Sequence, residues 1–212
     1  MKKYWVIFLG LFTLSYGVQA QSLSPEAELT YLQHQWAVCQ YQVHKDKAQQ
    51  SCLTDLVARN RQDLQNMPEH PEIQVWLAIN LSSLAGSKGG IGALSLVKEA
   101  KKLLEQVIDT APSTLSGSAY TSLGALYYQV PGWPIGFGSD KKAKQLLKQA
   151  LKMNPDGLDS NFFYADFLLD QGDKKQAKRY FLKALQAAPR ANRPLADQGR
   201  RAEIQKKLQG LS

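Results

Sequence analysis

Reactive side chains are scarce in this sequence. Its 212 residues hold three histidines and two cysteines. His34, His44 and His70 do not form the H-E-x-x-H pair that a helix uses to hold zinc. There is no G-x-S-x-G elbow, and neither cysteine has a credible base partner. The stretch GGIGAL, from Gly89 to Leu94, lacks the Lys-Ser/Thr ending of a phosphate loop and follows a helical segment where that loop follows a strand. Asp166 and Asp170 are helix-spaced carboxylates, a pattern that more often reflects solvated or lysine-paired groups than catalysis. These absences argue against an enzyme and against a metal or other cofactor. No run alternates with period two, so no sheet is expected. After the first twenty residues no stretch is long and apolar enough to enter a bilayer.

What is present begins with the first line. MKKYWVIFLGLFTLSYGVQAQS has a basic start (Lys2, Lys3), an apolar run over residues 4–16 and a small-x-small site at Val18-Gln19-Ala20. This is the three-part layout of a secretory signal peptide. The alternative is an uncleaved anchor helix, for which the run is short. Residues 1–20 are read as the signal, the mature chain as starting at Gln21, and the location as the periplasm, with no stable membrane insertion after signal removal. Charge is uneven. Residues 21–140 carry 8 Lys+Arg against 11 Asp+Glu, and residues 141–212 carry 16 against 7. Such asymmetry can mark nucleic-acid binding, but here the lysines recur at helical spacing and read as solvated helix faces. No nucleic-acid partner is expected.

Cys39 and Cys52 sit on two helical segments, nearly equidistant from a break at His44-Lys45-Asp46. An antiparallel hairpin brings them level, and an oxidising compartment lets them pair. Two buried free thiols are the other reading. A zinc site would need more ligands than these two cysteines supply.

The rest is a repeat. Ala143, Leu147, Ala150 and Pro155 return as Ala177, Phe181, Ala184 and Pro189, each 34 residues on. The same four places occur earlier as Ala100, Leu104, Val107 and Pro112, 43 residues back. A 34-residue period of paired helices is the tetratricopeptide signature. The alanines let helices cross closely, the large residue fills the groove, and proline ends the second helix. Tyr120, Leu123, Gly124 and Tyr127 stripe one first helix, and Tyr164, Ala165 and Leu168 the next. The expected fold is all-α: a right-handed tetratricopeptide-repeat solenoid. Its parts are an N-terminal hairpin (21–67), three repeats (68–190) with insertions at 86–96 and 130–139, and a polar capping helix (191–212) with Leu195, Ile204 and Leu208 inward.

On the blocks GGIGALSLVKEAKKLLE, SAYTSLGALYYQVPGWPIGFGSDKKAKQLLKQALKMNPDGLDSNFFYADFLLDQGD and RPLADQGRRAEI, the chain resembles the exported bacterial tetratricopeptide-repeat proteins. The likeness spans roughly residues 87–204, and PGWPIGFG is its most specific part. More distantly the chain is similar to the tetratricopeptide component associated with periplasmic TRAP-type transporters. The resemblance implies a helical scaffold with a partner-docking or ligand-holding surface. It differs from the lipoprotein members in having no cysteine after the signal.

Two surfaces are candidates. The first helices should line an inner groove, exposing Val75, Ile79, Thr121, Tyr128, Phe162, Asp166 and Leu169, a mixed aromatic wall that suits a peptide or a small apolar ligand. The second is the 130–139 loop. Pro131 and Pro134 stiffen it, and Trp133 with Phe137 offers flat apolar surface. Either these rings face outward as a binding site or they turn inward and seal helix ends. The binding candidates are Trp133, Phe137, Tyr128, Phe162 and Asp166. The expected function is a non-enzymatic periplasmic scaffold that binds another envelope protein or peptide segment. A ligand-binding accessory to solute uptake is the alternative.

Overall fold

The computed structural model describes residues 23–44 and 47–211, the side chain of Ile91 excepted. Among these are α1 (Pro25–Tyr41), α2 (Lys47–Asn66), α3 (Pro71–Lys88), α4 (Gly90–Thr110), α5 (Ser118–Gln129), α6 (Asp140–Met153), α7 (Leu158–Asp170), α8 (Lys174–Leu185) and α9 (Pro194–Gln209). A 3-10 turn, Thr114–Ser116, precedes α5, and no strand occurs among the described residues. The signal segment lies outside them. Starts follow the capping chemistry. Ser139 accepts from the Lys142 N–H and Asp173 from the Gln176 N–H, at 3.4 and 3.1 Å. Each satisfies an N–H that the first helical turn leaves free.

The helices form two layers. Each of α4, α6 and α8 buries one repeated stripe: Ala100, Leu104 and Val107; Ala143, Leu147 and Ala150; Ala177, Phe181 and Ala184. In α6 and α8 the opposite face carries lysines, as amphipathic outer helices should. By contrast α3, α5 and α7 are buried on most sides and form the inner layer. The layers meet tightly. A Cβ at Gly124 of α5 would lie 2.7 Å from Leu147 Cγ of α6, so nothing larger than glycine fits that crossing as built.

The inner helices touch in series, α1 to α3, α3 to α5, α5 to α7 and α7 to α9, and α9 then returns to contact α1. The solenoid is a closed ring. Its C-terminal helix is not simply a polar cap. Ile204 is fully buried, and Ala196, Asp197 and Arg200 are buried with it. The seam is made by Tyr41 at the end of α1 and Gly199 of α9. Any Cβ at 199 would fall 2.4 Å from the Tyr41 ring. Tyr41 in turn packs edge-on against Trp36, centroids 5.7 Å apart. The hairpin below the seam is stapled by a Cys39–Cys52 disulfide, with Cα atoms 5.6 Å apart. The buried Gln49 amide donates to the Cys39 carbonyl at 3.1 Å.

The two insertions differ. Residues 86–96 do not form a loop. They lengthen α3 and α4 to 18 and 21 residues, against 12 in α5 and α8, and leave only a sharp turn at Gly89 and Gly90, both at φ 62°. The segments flanking that turn are rich in Leu, Ala, Lys and Glu, which favour helix. Residues 130–139 are a true loop, so only the second of the two insertions projects from the helices.

Candidate functional site

The ring surrounds a half-open central cavity of about 860 Å³, walled by α1, α3, α5, α7 and α9 with a contribution from α2. Two nearly fully buried tryptophans stand behind one wall. Trp36 and Trp76 meet edge-on at 5.8 Å, and the Trp36 indole N–H donates to Ser83 Oγ at 2.8 Å. The adjoining walls carry small polar groups, including Gln33, Ser82, Ser87 and Thr121. Two inner-groove expectations, Ile79 and Thr121, do line this space. The others do not: Val75 and Phe162 are buried in packing.

The cavity lining also carries three guanidinium groups, those of Arg190, Arg193 and Arg200. Arg190 pairs with Asp159 at 2.8 Å and with Asp197 at 2.5 Å. Arg200 pairs with Asp159 at 3.0 Å and with Glu203 at 2.6 Å. Burial alone would raise the Asp159 carboxyl, but Arg200, Arg190 and Arg193 outweigh it and hold the group well below the usual carboxylate range. Arg193 has no ion pair among the described residues. Its guanidinium lies 5.0 Å from the Trp76 ring centroid, and its Nε is buried with no hydrogen-bond partner. Burial pulls its pKa down to about 10, because Asp159 and Asp197 compensate only in part and Arg190 and Arg200 repel it. The three cations sit in one cluster, but all three nearby carboxylates are engaged by two of them.

The 130–139 loop is a second feature, away from the cavity lining. It is knitted to itself and to α5. Gly136 N–H donates to Gly132 O at 3.0 Å, Gly138 N–H to Pro131 O at 3.0 Å, and Ser139 N–H to Tyr127 O at 2.7 Å. The Trp133–Pro134 peptide is cis. Its two aromatic rings have separate fates. Phe137 turns inward and packs edge-on against Tyr127 at 5.5 Å, with the Lys101 ammonium 5.8 Å from its ring. Trp133 points out, 91% exposed, with Ile135 67% exposed beside it. No other large hydrophobic side chain of the described residues is as exposed.

The five residues singled out from sequence are not one site. Tyr128 donates to Asp166 at 2.8 Å, and Lys207 of α9 pairs with the same carboxylate, so this end of the inner face is occupied by the closing helix. Burial, with Asp166 beside it, pushes the Tyr128 hydroxyl far above its ordinary value. Phe162 is 4% exposed and lies beneath Arg200, 4.2 Å from guanidinium to ring centroid. It supports the arginine cluster and offers no free surface. Trp133 is exposed, while Phe137 seals. The cavity residues Trp36, Trp76 and Arg193 were not anticipated as a site. The only hint was a density of Ser and Gln on inner-helix faces, which is hard to tell from ordinary solvation.

Among the described residues no helix is long and apolar enough to cross a membrane, and no group of His, Cys, Asp or Glu could hold a metal ion. Residues 141–199 match the tetratricopeptide repeat family. No curated protein matches the chain. Among solved structures, the chain is similar to a thermophilic tetratricopeptide-repeat protein of Thermus thermophilus. The TM-score is 0.52, with 18% identity over 84% of this chain and 82% of that one. The repeat match, the two-layer packing and this likeness make the fold an all-helical tetratricopeptide-repeat solenoid.

Proposed function

We propose that the protein is a non-catalytic scaffold of the bacterial periplasm that docks another envelope protein or peptide segment through the tip of its 130–139 loop. The observation that carries this reading is Trp133, a large aromatic ring left in water on a loop tied down by its own hydrogen bonds. Aromatic anchors of this kind dominate the energetics of protein interfaces, and a pre-ordered loop loses little entropy on docking. Tetratricopeptide folds generally serve such roles. The signal-like first twenty residues and the Cys39–Cys52 bridge support an oxidising, exported setting.

The test is capture from a native envelope fraction. Trp133→Ala and Ile135→Asp should each abolish recovery of the partner held by the wild-type chain, with an unchanged melting temperature. Equal recovery by both variants would remove the loop from the account. Export is checked by N-terminal sequencing, expected to begin at Gln21; retention of Met1 to Ala20 would overturn it.

The cavity favours a second reading, a ligand-binding accessory to solute uptake of the TRAP type. At about 860 Å³ it falls within the roughly 300–1,000 Å³ usual for small-molecule sites. It too combines apolar side chains, Ile79, Leu115 and Phe163 among them, with polar groups.

A further inference from the structure

We infer that the central cavity is a binding site for a small organic carboxylate, with the acid group on Arg193 and the apolar body against the partly exposed Ile79, Leu115 and Phe163 of the cavity lining. This deepens the ligand-binding reading and is independent of docking at the loop.

Charge points there first. Arg190, Arg193 and Arg200 face Asp159, Asp197 and Glu203, which is neutral in sum. The pairing is not even, because Arg190 and Arg200 share Asp159 and take Asp197 and Glu203 separately. Arg193 is left as a half-buried cation with an unused fork of donors. A structural arginine in such a place normally finds a carboxylate or a carbonyl, since a desolvated charge without a partner is costly. Here it finds only the face of Trp76. Burial is the main cause of the lowered Arg193 pKa, and Asp159 and Asp197 offset it only in part.

A second donor nearby is also unsatisfied. The Trp76 indole N–H is buried and has no hydrogen-bond partner. It belongs to the very ring on which Arg193 sits. Two donors on adjoining groups, with no protein acceptor, ask for an acceptor that arrives from outside. A carboxylate fits the guanidinium fork with two parallel, charge-assisted bonds. Water filling the cavity serves a guanidinium less well than an anion does.

Shape narrows the class of anion. Ile79, Leu115 and Phe163 are only partly buried and line the same cavity, and their apolar surface would cover a flat or short aliphatic body. A fully polar anion such as phosphate would leave that surface unused. A protein's C-terminal carboxylate offers the same acid group, but the surrounding ring of inner helices suits a small free acid.

The probes are benzoate and hexanoate, with benzamide as the uncharged control, titrated calorimetrically into the full mature chain. Saturable binding of at least one acid is expected, with benzamide at least tenfold weaker. Arg193→Gln should weaken the acid at least tenfold, and Arg193→Lys should restore part of that loss. Arg193 makes no ion pair, so Arg193→Gln loses only its contact with the Trp76 ring and weak long-range attraction; a thermal melt of the variant within a few degrees of wild type is expected and keeps the binding result interpretable. Trp76→Phe provides a second variant: it keeps an aromatic face, removes the indole N–H and should weaken the acid several-fold. No saturable binding of either acid, equal binding of benzamide, or an affinity unaffected by Arg193→Gln would each overturn the assignment. So would binding of a short peptide with a free C-terminus when neither small acid binds, which would give the guanidinium to a chain end. Trp133→Ala should bind the acid as wild type does. Loss of partner capture with acid binding intact would separate failure of the loop from failure of the cavity.

Discussion

Two glycine-rich insertions separate helices of successive repeats, and they reach opposite structures. Residues 86–96 contain four glycines and residues 130–139 three. The first set is absorbed into helix on either side of a two-residue turn. At Gly86 and Gly92 an added Cβ would meet nothing within 4 Å, so these positions need glycine for no steric reason. The second set is packed. A Cβ at Gly138 would fall 2.0 Å from the Val130 carbonyl oxygen. Pro131 and Pro134 bar helix there, and close backbone approach replaces it. Glycine content alone did not distinguish loop from helix. The neighbours did, helix formers in one case and prolines in the other.

Four substitutions sharpen that contrast, taken from the largest effect to the smallest. Gly138→Ala must push the loop off α5 and should cost about 3 kcal/mol, the upper end for an overpacked contact. A melting temperature equal to wild type would mean the loop is not locked as described. Phe137→Ala removes the half-buried ring against Tyr127 and should cost about 2 kcal/mol in urea unfolding, below the figure for a fully buried phenylalanine. Gly92→Ala, inside α4 and facing open space, should instead stabilise by up to about 1 kcal/mol through helix propensity. A loss there would show that the first insertion is under constraint after all. Trp133→Ala should change stability by less than about 0.5 kcal/mol, as for a surface position. A larger loss would mean that its ring has a seat in the fold.

The local features were legible in sequence for clear physical reasons. The stripes Ala143, Leu147, Ala150 and Ala177, Phe181, Ala184 report burial directly, because helix periodicity and outer-layer packing concern neighbours in the chain. Cys39 and Cys52 were equally readable, since hairpin symmetry needs only the position of one turn. Ring closure was not. It depends on Tyr41 meeting Gly199, residues far apart in sequence, and no periodicity encodes that meeting. The site failed with it. Tyr128 and Asp166 read as an open inner face, yet Lys207 of the returning helix covers them. Arg193 sat in a stretch that resembled a solvated cap, and its missing counter-charge becomes visible only once Arg190 and Arg200 are seen to occupy all three carboxylates. Trp133 and Phe137 were posed as one question and received different answers.

The contact between α1 and α9 changes the statistics of unfolding. An open repeat array behaves as a one-dimensional chain with two free ends, where each terminal unit has a single neighbour and frays first. Joining the ends imposes a cyclic boundary. The terminal units then each gain a second neighbour, and the lowest-energy defect is no longer an end but a break at the weakest seam. Amide exchange in α1 and α9 should therefore be as slow as in α5, and opening the Tyr41–Gly199 contact should loosen both termini together.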